Sequence, residues 1–90
     1  MKVRVRAFAQ FRDVIGGDRT VETSEGTGTT DLLRMVVAES PAAGEVFFDS
    51  DGAVRPHVIV MVNGKRVGKG EDLPLQEGDE VAVFPPVAGG

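Results

Sequence analysis

Leu75-Gln76-Glu77-Gly78-Asp79-Glu80-Val81-Ala82-Val83-Phe84-Pro85-Pro86-Val87-Ala88-Gly89-Gly90 is the stretch on which the fold turns. Gly78-Asp79 is a turn signal. It sends the chain into an apolar-rich last strand over residues 80–84. Pro85 and Pro86 cannot extend a sheet ladder and favour an extended polyproline II path. The chain therefore divides into a domain over residues 1–84 and an extended tail over residues 85–90. At roughly 3.3 Å per residue, Pro85, Pro86, Val87, Ala88, Gly89 and Gly90 reach about 20 Å beyond the last strand. The closing Gly-Gly has no side chains, so it can thread a narrow slot and allow close backbone approach. We expect the reactive group to be the α-carboxylate of Gly90.

The rest of the chain supplies partners for that last strand. Residues 2–8 read Lys-Val-Arg-Val-Arg-Ala-Phe, a period-two alternation with Val3, Val5 and Ala7 on one face. Lys2, Arg4 and Arg6 then line the other face, either as its solvated side or as a patch for an acidic protein surface. Residues 9–15 predict a short helical turn or loop stopped by Gly16-Gly17, and residues 19–23 a returning hairpin strand. Thr29-Thr30-Asp31 offers helix-capping side chains. Leu32, Leu33, Met35, Val36 and Val37 follow as the apolar face of a helix that ends near Glu39-Ser40, before Pro41. Residues 41–56 are mixed. There Val46, Phe47 and Phe48 are expected to tuck under the sheet, and residues 49–52 to turn. Residues 58–62, Val-Ile-Val-Met-Val, predict a buried central strand. Asn63-Gly64 is a hairpin signal leading to a short strand, and Leu73-Pro74-Leu75 packs a loop. The order β, β, α, mixed segment, β, short β, β predicts an α+β roll. Its mixed sheet has four to five strands and is crossed by one main helix, with the first hairpin and last strand side by side.

Composition removes most rival chemistries. The 90 residues include no cysteine and a single histidine, His57. That excludes disulfides, thiolate nucleophiles and zinc knuckles, and leaves a Ser-His-Asp triad poorly supplied. We expect no bound metal and no bound cofactor. The Gly26-Thr27-Gly28 approach to the helix lacks the Lys-Ser/Thr pair of a phosphate loop. Asp49-Ser50-Asp51-Gly52 lacks the remaining ligands of a calcium loop. A formal net charge of −4 disfavours nucleic acid as a partner. No apolar run approaches the length of a membrane span. Met1 leads directly into a charged strand, with no apolar leader segment. A soluble, cytoplasmic protein is the expectation.

Three stretches carry a resemblance that covers essentially the whole chain. They are the first strand running into Phe8-Ala9-Gln10-Phe11-Arg12, the Val62-Asn63-Gly64 turn, and the sixteen residues 75–90. In these the chain resembles the ubiquitin-like β-grasp sulfur carriers. It is similar in particular to the small subunit of molybdopterin synthase (MoaD-type) and to the small archaeal modifier proteins. The segment 46–52, with His57, resembles the longer archaeal-type members.

The resemblance implies that Gly90 is adenylated by an E1-like adenylyltransferase that uses ATP, and is then converted to a thiocarboxylate. The tail would insert into the large subunit of molybdopterin synthase and donate sulfur to a pterin precursor. A side chain at Gly89 would obstruct that channel. The chain would be a carrier without catalytic side chains of its own. Phe8 and Phe84 match positions of an apolar docking surface in the family, core packing being the other reading of each. Arg66 stands where the family often carries an aliphatic residue. Other roles the resemblance allows are a protein modifier joined to target lysines through Gly90, and a sulfur carrier for transfer-RNA thiolation or cysteine synthesis.

Overall fold

A computed structural model describes residues 1–68 and 70–85. The elements are β1 (Lys2–Ala7), α1 (Gln10–Ile15), β2 (Asp18–Glu22), α2 (Thr29–Ala38), α3 (Pro41–Phe47), β3 (Ile59–Val62), β4 (Lys65–Arg66) and β5 (Glu80–Phe84). The strands form one mixed sheet in the order β2-β1-β5-β3-β4. β1 pairs antiparallel with β2 and parallel with β5, and β3 pairs antiparallel with both β5 and β4. This is the roll that the sequence predicts, with the first hairpin beside the last strand. The centre of the sheet is β5, however. The apolar run at residues 58–62 lies one place further out, and only Val58 and Val60 of it are buried.

Alternation divides the sheet into two faces. Val3, Val5, Ala7, Val60, Val81 and Val83 face inward and are buried. Helix α2 lies over them because Thr29, Leu32, Leu33, Val36 and Val37 recur at helical spacing and form one stripe. Met35 falls outside that stripe and is 40% exposed. A turn of 3.6 residues carries it off the apolar face to which its hydropathy assigned it. Burying each Leu or Val of the stripe contributes roughly 1.5–3 kcal/mol.

Two short helices add to the core and meet each other. In α1, Phe11 and Ile15, one turn apart, are buried. Helix α3, within the stretch expected to be mixed, exists through its tertiary contacts. Proline opens it, Gly44 weakens it, and the fully buried Ala43 and Phe47 anchor it. The Phe47 ring packs on Phe11 with centroids 4.5 Å apart, tilted by 50°. Val46 and Phe48 are only partly buried.

The α2 cap comes from elsewhere than the local threonines. Its N-cap is Gly28, and no local side chain caps it. Instead the Thr30 amide donates to Asp72 Oδ1 at 3.0 Å, across 42 residues. A β-carbon at position 28 would lie 2.2 Å from that same oxygen, so the distant cap requires glycine there. Leu75 is buried beneath this loop, whereas Leu73 is 38% exposed.

The motif residues of the last third also prove to be fasteners. Asn63 and Gly64 have φ of 51° and 84°, the left-handed pair of a two-residue hairpin. Asn63 Nδ2 donates to Asp79 Oδ1, and Asn63 Oδ1 accepts from the Glu80 amide, each at 2.9 Å. Asp79 Oδ2 accepts from the Gln76 amide at 2.8 Å, while the Gly78 amide donates to Lys2 O at 2.8 Å. One side-chain network thus pins the start of β5 to the end of β3.

Candidate functional site

The outer face of the sheet, turned away from α2, separates into two ends. At the end where β5 begins, its side chains are charged. Lys2, Arg4 and Arg6 of β1 face Glu22, Thr20 and Asp18 of β2 in register. Arg4 Nε donates to Asp18 Oδ1 at 2.9 Å and Nη2 to Oδ2 at 2.5 Å, a two-point pair. That hydrogen bond from Arg4 is the main reason the Asp18 carboxyl lies below its ordinary value of 3.8, with the Arg4 and Arg6 charges assisting against partial desolvation. The same contact raises the Arg4 guanidinium.

At the other end, where β5 runs out, the outer face is apolar. Phe84 of β5 and Phe8, just beyond β1, stack with ring centroids 4.4 Å apart and planes 8° from parallel. The parallel register places them side by side, since β1 and β5 pair up to Ala7↔Val83 and the Phe8 amide donates to Val83 O at 3.1 Å. Both rings are half-buried, so each lies on the surface side of the sheet and outside the core. Ile59 stands directly opposite Phe84, and Met61 opposite Ala82. All three added residues are half-buried, and cross-strand partners sit about 5 Å apart at Cβ. Phe8, Ile59, Met61, Ala82 and Phe84 thus make one apolar patch across three strands.

Two arginines flank that patch. The Arg6 guanidinium lies 5.2 Å over the Phe8 ring and donates to Glu80 Oε1 at 3.3 Å. Its Nε is enclosed and has no acceptor among the described residues. Arg66 is opposite Met61 on the edge strand β4, exposed, and in no ion pair among the described residues. The sequence-predicted docking residues Phe8, Phe84 and Arg66 are therefore brought to one face.

Behind Phe8 the backbone is strained. Ala9 has φ 53° and ψ −135°, a conformation that a side-chain-bearing residue rarely adopts, at a cost of about 1–3 kcal/mol. The turn it makes starts α1 directly after Phe8, with the Phe11 amide donating to Phe8 O at 3.2 Å. Phe8 is thereby held between a strand end and a helix start.

Pro85 follows Phe84 and is half-buried. Pro86, Val87, Ala88, Gly89 and Gly90 lie outside the described residues. His57 is exposed just before β3, beside none of the patch's defining pairs. A second concavity lies on the helix side, between Thr30, Arg34, Arg55 and Glu71. Two of its arginines are engaged internally: Arg34 donates to Gly52 O and Asp31, and Arg55 to Glu45 O, while Arg66 of the edge strand borders the same concavity. Asp49 Oδ1 accepts from the Asp51 and Ala53 amides, closing the turn expected there. No described helix is long and apolar enough to cross a membrane.

Sequence reasoning missed Ile59, Met61 and Ala82. Each alternates with a buried valine, so the period-two pattern that names Val60, Val81 and Val83 as core already places them on the opposite face. What hid them was their hydrophobicity, which reads as core on both faces of a strand.

Comparisons with known proteins fit this geometry. The ThiS family matches residues 5–90. Small archaeal modifier protein 3 of Haloferax volcanii is 42% identical over 94 residues, spanning 100% of both chains. The molybdopterin synthase sulfur carrier subunit of Chlamydomonas reinhardtii is 33% identical over 91 residues, again spanning 100% of both. The crystal structure of SAMP1 from Haloferax volcanii superposes with a TM-score of 0.85 at 32% identity, covering 100% of each chain.

Proposed function

The chain belongs to the ThiS family of ubiquitin-like sulfur carriers and modifiers, and from that premise we propose that it carries sulfur on the C-terminal carboxylate of Gly90 as the small subunit of molybdopterin synthase. The observation that carries this reading is the placement of an apolar, outward-facing patch at the end of β5, where Pro85 begins the tail. A partner that grips Phe8, Ile59 and Phe84 holds the root of the tail and so aims its tip. The curated relative in Chlamydomonas bearing the carrier-subunit name spans the whole chain and supports the choice of pathway.

A carboxylate is a poor electrophile at neutral pH, so an E1-like adenylyltransferase supplies the activation. Gly90 attacks the α-phosphate of ATP, pyrophosphate leaves, and an acyl-adenylate forms. A sulfide-level donor then attacks the acyl carbon and AMP departs, leaving the thiocarboxylate. This chain contributes the carboxylate, the reach of residues 85–90 and the docking face. It binds no cofactor, and ATP is consumed in the partner's site. Gly89 lacks a side chain because the partner's channel must admit the backbone. We place the protein in the cytoplasm, where such partners act.

Intact-mass measurement after incubation with the E1-like enzyme, ATP and a sulfur source tests the reading. The expected result is the mass gain of one oxygen replaced by sulfur at Gly90. An unchanged mass, with the enzyme active on its own reference substrate, would overturn it. Sulfur transfer to a pterin precursor in the presence of the large subunit tests the pathway.

A second reading has its own support, because the 42% identical relative is named a modifier. The same acyl-adenylate, met by a lysine amine instead of sulfur, gives an isopeptide bond through Gly90. Gly-Gly remnants on target lysines in cells would reveal that use.

A further inference from the structure

We propose that Arg66 makes the docking face selective for a protein partner that places a carboxylate beside an apolar centre. This inference rests on the proposal that the outer face docks the activating enzyme, and it adds the chemistry by which that enzyme is chosen. The chain as a whole is acidic, at −4. The rim of the apolar patch departs from that average. The two carboxylates on this face nearest the patch are held by its own cations, Asp18 by Arg4 and Glu80 by Arg6, while Glu22 lies at the far, charged end opposite Lys2. Arg66 remains exposed, opposite Met61, with no ion pair among the described residues.

The unpaired charge at the β4 edge of the patch, opposite Met61, is therefore positive. An aliphatic residue at this position would extend the apolar patch onto β4. Arginine does so only with its stem, and it brings a planar fork suited to a carboxylate. A partner that offered apolar surface there would leave the guanidinium desolvated and unpaired, which is penalised at an interface. Specificity arises from that penalty as much as from the new ion pair. A rim charge of this kind acts strongly on association rate and salt dependence.

The test measures binding of the full chain to the E1-like enzyme encoded in the same genome, at low and at moderate salt. The variants are Arg66→Glu, Arg66→Leu, Arg66→Lys and, as a reference, Phe84→Ala, each checked for native circular dichroism. We expect Arg66→Glu to weaken binding at least tenfold at low salt. Arg66→Leu should weaken it about threefold and flatten the salt dependence, and Arg66→Lys should recover most of the loss. Binding by Arg66→Leu equal to or tighter than wild type, with Phe84→Ala still impaired, overturns the selectivity alone. Unimpaired binding by both Phe84→Ala and Arg66→Glu overturns the docking face and the selectivity together.

Discussion

The inner and outer faces of the sheet are cut from the same strands, and they differ only in which alternate residue each one displays. Inward, Val3, Val5, Val60, Val81 and Val83 are buried in one core with the stripe of α2. Outward, Arg4 pairs with Asp18 of the neighbouring strand, and Phe8 and Phe84 stack on each other, staying only half-buried like Ile59 and Ala82. The inner face is uniform from end to end, whereas the outer face is charged at one end and apolar at the other. A surface with no role would gain from polar residues at both ends. An apolar patch confined to the end where β5 runs out is the surface that the proposed docking of a partner would cover.

The comparison can be broken from the inside first. Leu33→Ala, beneath α2, should cost about 2–5 kcal/mol, because a fully buried leucine leaves a cavity that the helix cannot close. Urea unfolding would show it as a lower midpoint with an unchanged slope, and a loss below about 1 kcal/mol would mean that the inner face is loosely packed.

The closure of that face by α2 offers a sharper probe. Asp72→Ala removes the cap on the Thr30 amide and should cost about 1–2 kcal/mol. Gly28→Ala drives a β-carbon against the same carboxylate, and so displaces the same cap. The two losses should not add. The double variant should be nearly as stable as Asp72→Ala, and simple additivity in a double-mutant cycle would refute the shared cause.

On the outer face the balance between stability and binding should invert. Phe84→Ala gives up a stacked pair on a half-buried surface, about 1 kcal/mol of stability. Its effect on partner affinity should exceed tenfold, as for an aromatic anchor at an interface. Thermal melting and titration calorimetry on one preparation separate the two quantities.

The smallest effect belongs to the charged end. The Asp18 carboxyl is held below 3.8 in the folded chain by Arg4. A group depressed on folding contributes stability above its unfolded value, and that contribution disappears as pH falls through the folded one. Asp18→Asn should therefore be slightly less stable than wild type near neutrality, with the gap closing below about pH 4. The pair is solvent-exposed, so a gap that persists at pH 2 would point to packing rather than charge.

Much of this division was legible in the chain. Strict alternation in β1 separated Val3 and Val5 from Arg4 and Arg6 without further help. The stripe of α2 was legible too, except at Met35, where hydropathy outvoted angular position. What sequence could not show was anything held by distant contacts. The cap from Asp72 crosses 42 residues, and α3 forms around the buried Phe47 rather than from its own propensity. The stretches most specific for the resemblance divide the same way. Asn63, Gly78 and Asp79 fasten strands, while Phe8 and Phe84 face outward beside the start of the tail. Gly89 and Gly90 lie outside the described residues, and the role proposed for them rests on the resemblance and on carboxylate chemistry.

The parallel pairing of β1 with β5 also sets how the molecule bears load. Met1 precedes the start of β1, and Phe84 sits at the opposite end of its neighbour. Tension between the chain's beginning and the residues beyond Phe84 pulls these two strands past each other along their length. Their shared hydrogen bonds are then strained together in shear, rather than opened one at a time as in a peeled hairpin. The domain is thus braced against traction on its own tail, the direction in which a partner that has captured that tail would pull.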